Sequence, residues 1–142
     1  MSSFSPVAAR QQIRAEIRRL RQALSSEQQQ QAAQAAARRA MAFPPIQQAQ
    51  KVALFLSFDG ELDTGPLIRQ LWQQGQQVYL PVLHPFSAGQ LLFLRYLPET
   101  PLLKNRLGID EPPLDIRQLA TLDQLDVMLV PLVAFDATGQ RL

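Results

Sequence analysis

Five groups of residues in this chain invite a chemical reading. Glu61 follows Asp59-Gly60 at the end of an apolar run, Phe55-Leu56-Ser57-Phe58. A carboxylate where a strand gives way to a loop lies where open α/β sheets bind ligands, and it can accept hydrogen bonds from a ring N–H or an amine. The competing reading is an exposed loop acid. Asp63 and Thr64 are better placed to cap the next helix, and the residues alone leave the two readings level. Arg10 and Arg14 lie one helical turn apart. Two guanidinium groups at that spacing can clamp a phosphate, although a solvated basic face has the same spacing, and that reading suits Arg18, Arg19 and Arg21. Asp136 and Arg141 flank Gly139 after an apolar run. Glycine loops after strands cradle phosphates through backbone N–H groups, but one glycine does not make such a loop. Lys104 lies in a proline-bounded segment, where a lysine serves either a polyphosphate or the solvent. His84 is the single histidine. With no Ser or Cys nucleophile motif and no second His, it reads as a loop or core residue. The residues therefore name no covalent nucleophile and no metal-ligand set.

The elements that would position these groups follow from periodicity and punctuation. Ser5-Pro6 opens a helix, with Ser as cap and Pro in the first turn. Ile13, Ile17, Leu20 and Leu24 recur as one face of that helix, a stripe expected to dock on the body. Arg10, Arg14, Arg18 and Arg21 run along another face. Ser25 and Gln28 form a capping box for a second helix, which ends near Phe43-Pro44-Pro45. Val52 to Leu56 is continuously apolar, as in a strand buried on both faces. Leu67, Ile68, Leu71 and Trp72 stripe the next helix, and Gly75 is its expected C-terminal cap. Val78 to Val82 reads as a second strand and Leu91 to Tyr96 as a third, in a hairpin. Pro98 to Pro113, with four prolines, reads as irregular, and Leu125 to Val133 as another buried strand. The alternation predicts an α/β fold: a mainly parallel sheet with covering helices, preceded by an N-terminal helical pair, in one domain over residues 1–142.

Composition bounds the function. The chain has 142 residues, 46% of them apolar, and a formal charge of +2. That suits one globular domain. Arg10, Arg14, Arg18, Arg19, Arg21, Arg38 and Arg39 stand against only Glu16 and Glu27 in the first 39 residues. No aromatic lies between Arg10 and Arg21, which counts against base stacking by an RNA-binding helix. There is no cysteine, so thiol chemistry is excluded and a reducing compartment fits. The N-terminus does not read as a secretory signal, and no apolar run approaches a membrane span. The expectation is a cytoplasmic protein acting on a small molecule, with no nucleic-acid or membrane partner.

Five segments in order carry a resemblance: Arg10-Gln-Gln-Ile-Arg14, Phe55-Leu-Ser-Phe-Asp-Gly-Glu61, Val78-Tyr-Leu-Pro81, Gly108-Ile-Asp-Glu-Pro112, and Val130-Pro-Leu-Val-Ala-Phe-Asp136 with Gly139-Gln-Arg-Leu142. Together they resemble the 5-formyltetrahydrofolate cyclo-ligases. The resemblance implies a sheet-centred α/β fold, and closure of an N5-formyl group of tetrahydrofolate onto N10 with ATP and Mg2+. In that chemistry ATP phosphorylates the formyl oxygen and N10 attacks the activated carbon. It implies ATP contacts at Arg14 and at Arg10, where the family has Lys. It implies folate contacts at Leu56 and Glu61, and places Leu107 where some members carry an aromatic near the folate. Arg141-Leu142 match the start of the family's nucleotide loop, which continues as a glycine-rich run ending in two aromatics and an Asp. The chain is accordingly expected to stop before its active site is complete, with little activity. The rival expectation is a non-catalytic phosphate- or RNA-binding module using the arginine helix.

Overall fold

The computed structural model describes residues 6–140. It begins with α1 (Pro6–Gln22), α2 (Ser26–Ala42) and the single turn α3 (Pro44–Gln47), followed by β1 (Lys51–Ala53). Pro6 opens α1 as expected; its cap, Ser5, lies outside the described residues. The capping box of α2 is present. Gln28 N donates to Ser25 Oγ at 3.1 Å, and Ser25 N to Gln28 Oε1 at 2.9 Å, so two helix-end donors are satisfied reciprocally. α2 buries only small residues, Ala33 and Ala37. Small side chains let it lie close to α4 (Gly65–Gln73), which supplies the bulk through Leu67, Ile68 and Leu71. These residues pack on Val52, Leu54 and Val78 as the main core.

α4 ends where the sequence says it should. Gly75 takes φ +76°, Gly75 N donates to Trp72 O, and Gln76 N donates to Leu71 O. That pair of bonds is a Schellman close and requires the left-handed residue that glycine supplies most readily. The chain then enters β2 (Gln77–Leu83), which turns back as β3 (Leu91–Tyr96). The sheet order is β6-β3-β2-β1-β7, with β6 at Leu119–Ala120 and β7 at Val127–Met128. β2, β1 and β7 run parallel; β3 and β6 add antiparallel strands on the β2 side. Helices α2 and α4 cover one face. Ala53, Tyr79, Phe93 and Ala120 form a smaller cluster on the other. The α/β class stands as expected.

Several spans differ from their expected bounds. β1 stops at Ala53 rather than Leu56: Leu54 N still donates to Tyr79 O, but Phe55 O is taken by the Thr64 hydroxyl at 2.6 Å. The expected strand over Leu125 to Val133 shrinks to Val127–Met128. It is not buried on both faces; Met128, Val130 and Leu132 are 40–51% exposed. β7 is the outer strand of the described sheet and has β1 as its sole ladder neighbour there. Residues 98–113 are not wholly irregular, because β4 (Leu103–Lys104) and β5 (Asp110–Glu111) form a small antiparallel pair. Of the Ile13/Ile17 stripe of α1, only Ile17 is half-buried. α1 buries no residue, and Ile13 and Leu20 are about half exposed.

The start of the parallel portion is pinned by Asp126, whose Oδ2 accepts from Gln50 N and Lys51 N at 2.9 Å each. The Lys51 and Gln50 donors hold its carboxyl below the ordinary carboxylate range. A carboxyl depressed in the fold contributes stability above its unfolded pKa and loses it as pH falls through the folded value. Asp126→Asn should therefore lower stability at neutral pH, with the gap to wild type closing as pH falls below about 4. Urea unfolding at several pH values checks this. In the main core, where Leu71 is fully buried, Leu71→Ala should cost about 2–5 kcal/mol in the same assay.

Candidate active site

Two cavities open where the parallel strands end, and they adjoin at Pro131. The first, about 480 Å3, is polar. Arg14, Arg18 and Arg21 line it from α1, Asp59 and Glu61 from the loop after β1, and Leu132 from the loop after β7. The second, about 240 Å3, is apolar. Phe55, Pro81, Phe93, Leu107, Ile109 and Val130 are among its walls.

The polar cavity is shaped by a two-residue turn. Asp59 and Gly60 have φ of +54° and +75°, and Glu61 N donates to Phe58 O at 3.1 Å. Left-handed geometry at both central positions is the type I′ arrangement that Asp-Gly favours. Glu61 closes the same turn from the other side, its Oε1 accepting from Phe58 N at 2.9 Å. The carboxylate is thereby held by its own loop and does not cap α4. That task falls to Asp63, whose Oδ1 accepts from Gly65 N at 2.8 Å. Thr64, expected to share in capping, makes no side-chain cap bond. Facing the turn, the Nε atoms of Arg14 and Arg21 are buried without a hydrogen-bond partner. A buried donor without an acceptor is costly.

In the apolar cavity, the polar side chains among the walls are Asn105 and Glu111. Asn105 Oδ1 accepts from Leu107 N and Ile109 N, and its Nδ2 donates to Glu111 Oε2 at 3.1 Å. Glu111 Oε2 also accepts from Leu83 N at 3.3 Å. This clasp ties the β4–β5 turn to the end of β2 and holds Leu107 and Ile109 over the cavity. The residue types had not pointed to Asn105 or Glu111. The signal in the sequence is the segment Gly108-Ile-Asp-Glu-Pro112, which contains Glu111.

The expected site residues fall out as follows. Arg14 and Glu61 line one cavity together. Arg10, a turn further along α1, is exposed and is not among that cavity's walls. Leu56 packs against the main core and lines neither cavity. Leu107 lines the apolar one. Arg141 and Leu142 lie outside the described residues. His84 is a loop residue: its Nδ1 accepts from Phe86 N and Ser87 N at 3.0 Å. Lys104 pairs with Asp110 at 3.1 Å. Asp136 accepts from Thr138 Oγ1, Thr138 N and Gln140 N, and the Thr138 hydroxyl above all holds its carboxyl below the usual range. The amides of this turn are therefore spent on Asp136.

Guanidinium groups thus line a polar cavity beside an apolar slot at the strand ends of an α/β sheet. The family profile described as the 5-formyltetrahydrofolate cyclo-ligase family matches residues 6–142. A 5-formyltetrahydrofolate cyclo-ligase of Escherichia coli K12 is 62% identical over 126 residues, which are 89% of this chain and 69% of that one. One from Haemophilus influenzae is 51% identical over 133 residues, 94% of this chain and 71% of that one. The solved structure of an Aquifex aeolicus 5,10-methenyltetrahydrofolate synthetase superposes with a TM-score of 0.77 at 25% identity, covering 92% of this chain and 64% of that one. The chain thus spans roughly two thirds of the length of these relatives. It belongs to the 5-formyltetrahydrofolate cyclo-ligase family, ligases of folate one-carbon metabolism that use ATP.

The polar cavity has the charge to take the phosphate end of ATP, because three guanidinium groups, those of Arg14, Arg18 and Arg21, line it. Magnesium has no comparable seat among the described residues, where no three His, Cys, Asp or Glu side chains are grouped to hold a metal ion. The clasp is open to test. Glu111→Ala leaves Leu83 N and Asn105 Nδ2 without their acceptor and should destabilise the protein by about 1–3 kcal/mol. Amide exchange should quicken across residues 103–111 while β1 and β2 keep their protection.

Proposed function

We propose that this chain binds ATP and 5-formyltetrahydrofolate across the two cavities, for closure of the folate to 5,10-methenyltetrahydrofolate. The observation that carries the reading is the cavity lined by Arg14, Arg18, Arg21 and Glu61, adjoining an apolar slot at the strand ends. Arg14 takes a phosphate oxygen, and Arg10 reaches the outer phosphates from one turn away. Arg141 and Leu142 follow the last described turn and contribute backbone to the nucleotide. The folate ring lies in the apolar cavity against Phe55 and Leu107. Glu61, fixed by the Phe58 amide, accepts from a folate N–H at the boundary, and Leu56 acts from behind by setting the end of β1 on the core.

Bound ATP supplies a phosphoryl group that makes the formyl oxygen a leaving group. The part of this chain's residues is positioning and charge neutralisation, the two terms that dominate phosphoryl transfer. No side chain here is needed as a covalent nucleophile. Magnesium arrives with the nucleotide. One domain, a cytoplasmic setting and no nucleic-acid or membrane partner complete the proposal; no helix among the described residues is long and apolar enough to cross a membrane. The non-catalytic alternative gains no support, because the α1 arginines line a cavity with Glu61.

Calorimetric titration of ATP into the chain tests the reading. Arg14→Ala should weaken ATP about 10–100-fold, equivalent to about 1.4–2.8 kcal/mol, and leave 5-formyltetrahydrofolate affinity within about twofold. Equal ATP affinity in wild type and variant would reject the role of Arg14.

A further inference from the structure

We infer that Asp59 is a latch that sets α1 against the body of the protein and so fixes the reach of Arg14 into the polar cavity. The consequence for ATP rests on the reading of that cavity given above; the latch itself does not. The need for a latch follows from the burial pattern. α1 buries no residue, and Ile13, Leu20 and Leu24 are 44–50% exposed. Apolar packing therefore does not fix its rotation or its slide.

Hydrogen bonds do so at one end. Arg21 Nη2 donates to the Asp59 carbonyl at 2.7 Å, and Gln22 Nε2 donates to Asp59 Oδ1 at 2.7 Å. The same Arg21 nitrogen lies 3.5 Å from Asp59 Oδ2, and the Arg21 side chain is only 16% exposed. Gly60 completes the seat. A Cβ built there would sit 3.5–3.6 Å from side-chain atoms of Gln22 and Arg21, at a φ of +75° that other residues rarely adopt. One residue thus serves two structures. Asp59 tolerates the left-handed backbone the turn requires, while its carbonyl and carboxylate hold the last turn of α1.

Arg14 and Arg21 are seven residues apart, hence on nearly the same face and about 10 Å apart along the axis. A helix held at Arg21, with no fully buried residue above it, acts as a lever, so a small rotation at Asp59 moves Arg14 across the cavity. Asp59 and Gln22 are therefore positioning residues: they act on ATP through Arg14. The same turn presents Glu61, so the anion side and the carboxylate side of the site share one mount.

The test uses the full chain and three variants. Asp59→Ala removes the side-chain acceptor and strains the turn. Asp59→Asn keeps the left-handed tolerance and one acceptor but loses the charge. Gln22→Ala weakens the latch without altering the turn, and so guards against a misfolded Asp59→Ala. Amide hydrogen exchange over residues 10–22 should quicken about tenfold or more in Asp59→Ala, measurably in Gln22→Ala, and least in Asp59→Asn, with β1 and β2 unchanged. ATP affinity by calorimetry should fall in the same order, by about tenfold for Asp59→Ala. Unchanged α1 exchange in both Asp59→Ala and Gln22→Ala overturns the latch. Faster exchange with unaltered ATP affinity overturns its positioning role if Arg14→Ala does weaken ATP. If Arg14→Ala is also silent, the latch stands and the ATP reading fails.

Discussion

The hydroxyl of Thr64 decides where the sheet ends. Thr64 is the buried polar side chain of the core, 4% exposed, and it donates to Phe55 O at 2.6 Å. A buried hydroxyl must find an acceptor, and this one takes the carbonyl that the next residues of β1 would have used in the ladder. The chain leaves the sheet after Leu54. The loop from Phe55 to Thr64 stays fastened at its two ends, beside the end of β1 and at the start of α4. The site residues between β1 and α4 hang on that fastened loop: Phe55 in the apolar cavity, and Asp59 and Glu61 in the polar one. Asp63 caps the helix that follows, so loop and helix start are built together.

The site is a division of labour between two surfaces that meet at Pro131. On one side the α1 arginines and the Asp59-Gly60 turn make a polar cavity with two held carboxylates, Asp59 and Glu61. On the other the strand ends and the small β4–β5 pair make an apolar slot with its polar atoms spent on one another. Guanidinium groups suit this role because their planar donors match phosphate oxygens and keep their charge. Arg14 is the residue on which the polar side turns. It is partly buried on a helix that has no buried residue of its own, and its Nε has no internal partner.

Much of this was legible in the residues. The capping box at Ser25 and Gln28, the glycine close of α4 and the β2–β3 hairpin follow from local rules that tertiary context did not override. Glu61 could be singled out because strand-end acids have few structural duties, although its bond to the Phe58 amide could not be read. What failed did so for identifiable reasons. Continuous apolar runs cannot show where a hydroxyl will capture a carbonyl, so β1 was drawn too long. The Leu125 to Val133 run has the composition of a central strand but pairs along one edge only. The Ile13–Leu24 stripe has helical periodicity, yet periodicity does not say which face docks; on α1 the hydrogen bonds to Asp59 chose the arginine side. Asn105 and Glu111 were passed over because a clasp between a loop and a strand end has no local signature.

The central claim is that the two cavities form one site for two ligands. The most direct measurement is backbone amide NMR of the chain titrated separately with a non-hydrolysable ATP analogue and with 5-formyltetrahydrofolate. The account predicts that the nucleotide shifts amides of α1 near Arg14 and of Asp59 to Glu61, that the folate shifts Phe55, Leu107 and Ile109, and that both shift Val130 and Leu132, on either side of Pro131. Nucleotide shifts confined to other surfaces, or two ligand footprints with no residue in common, would contradict it.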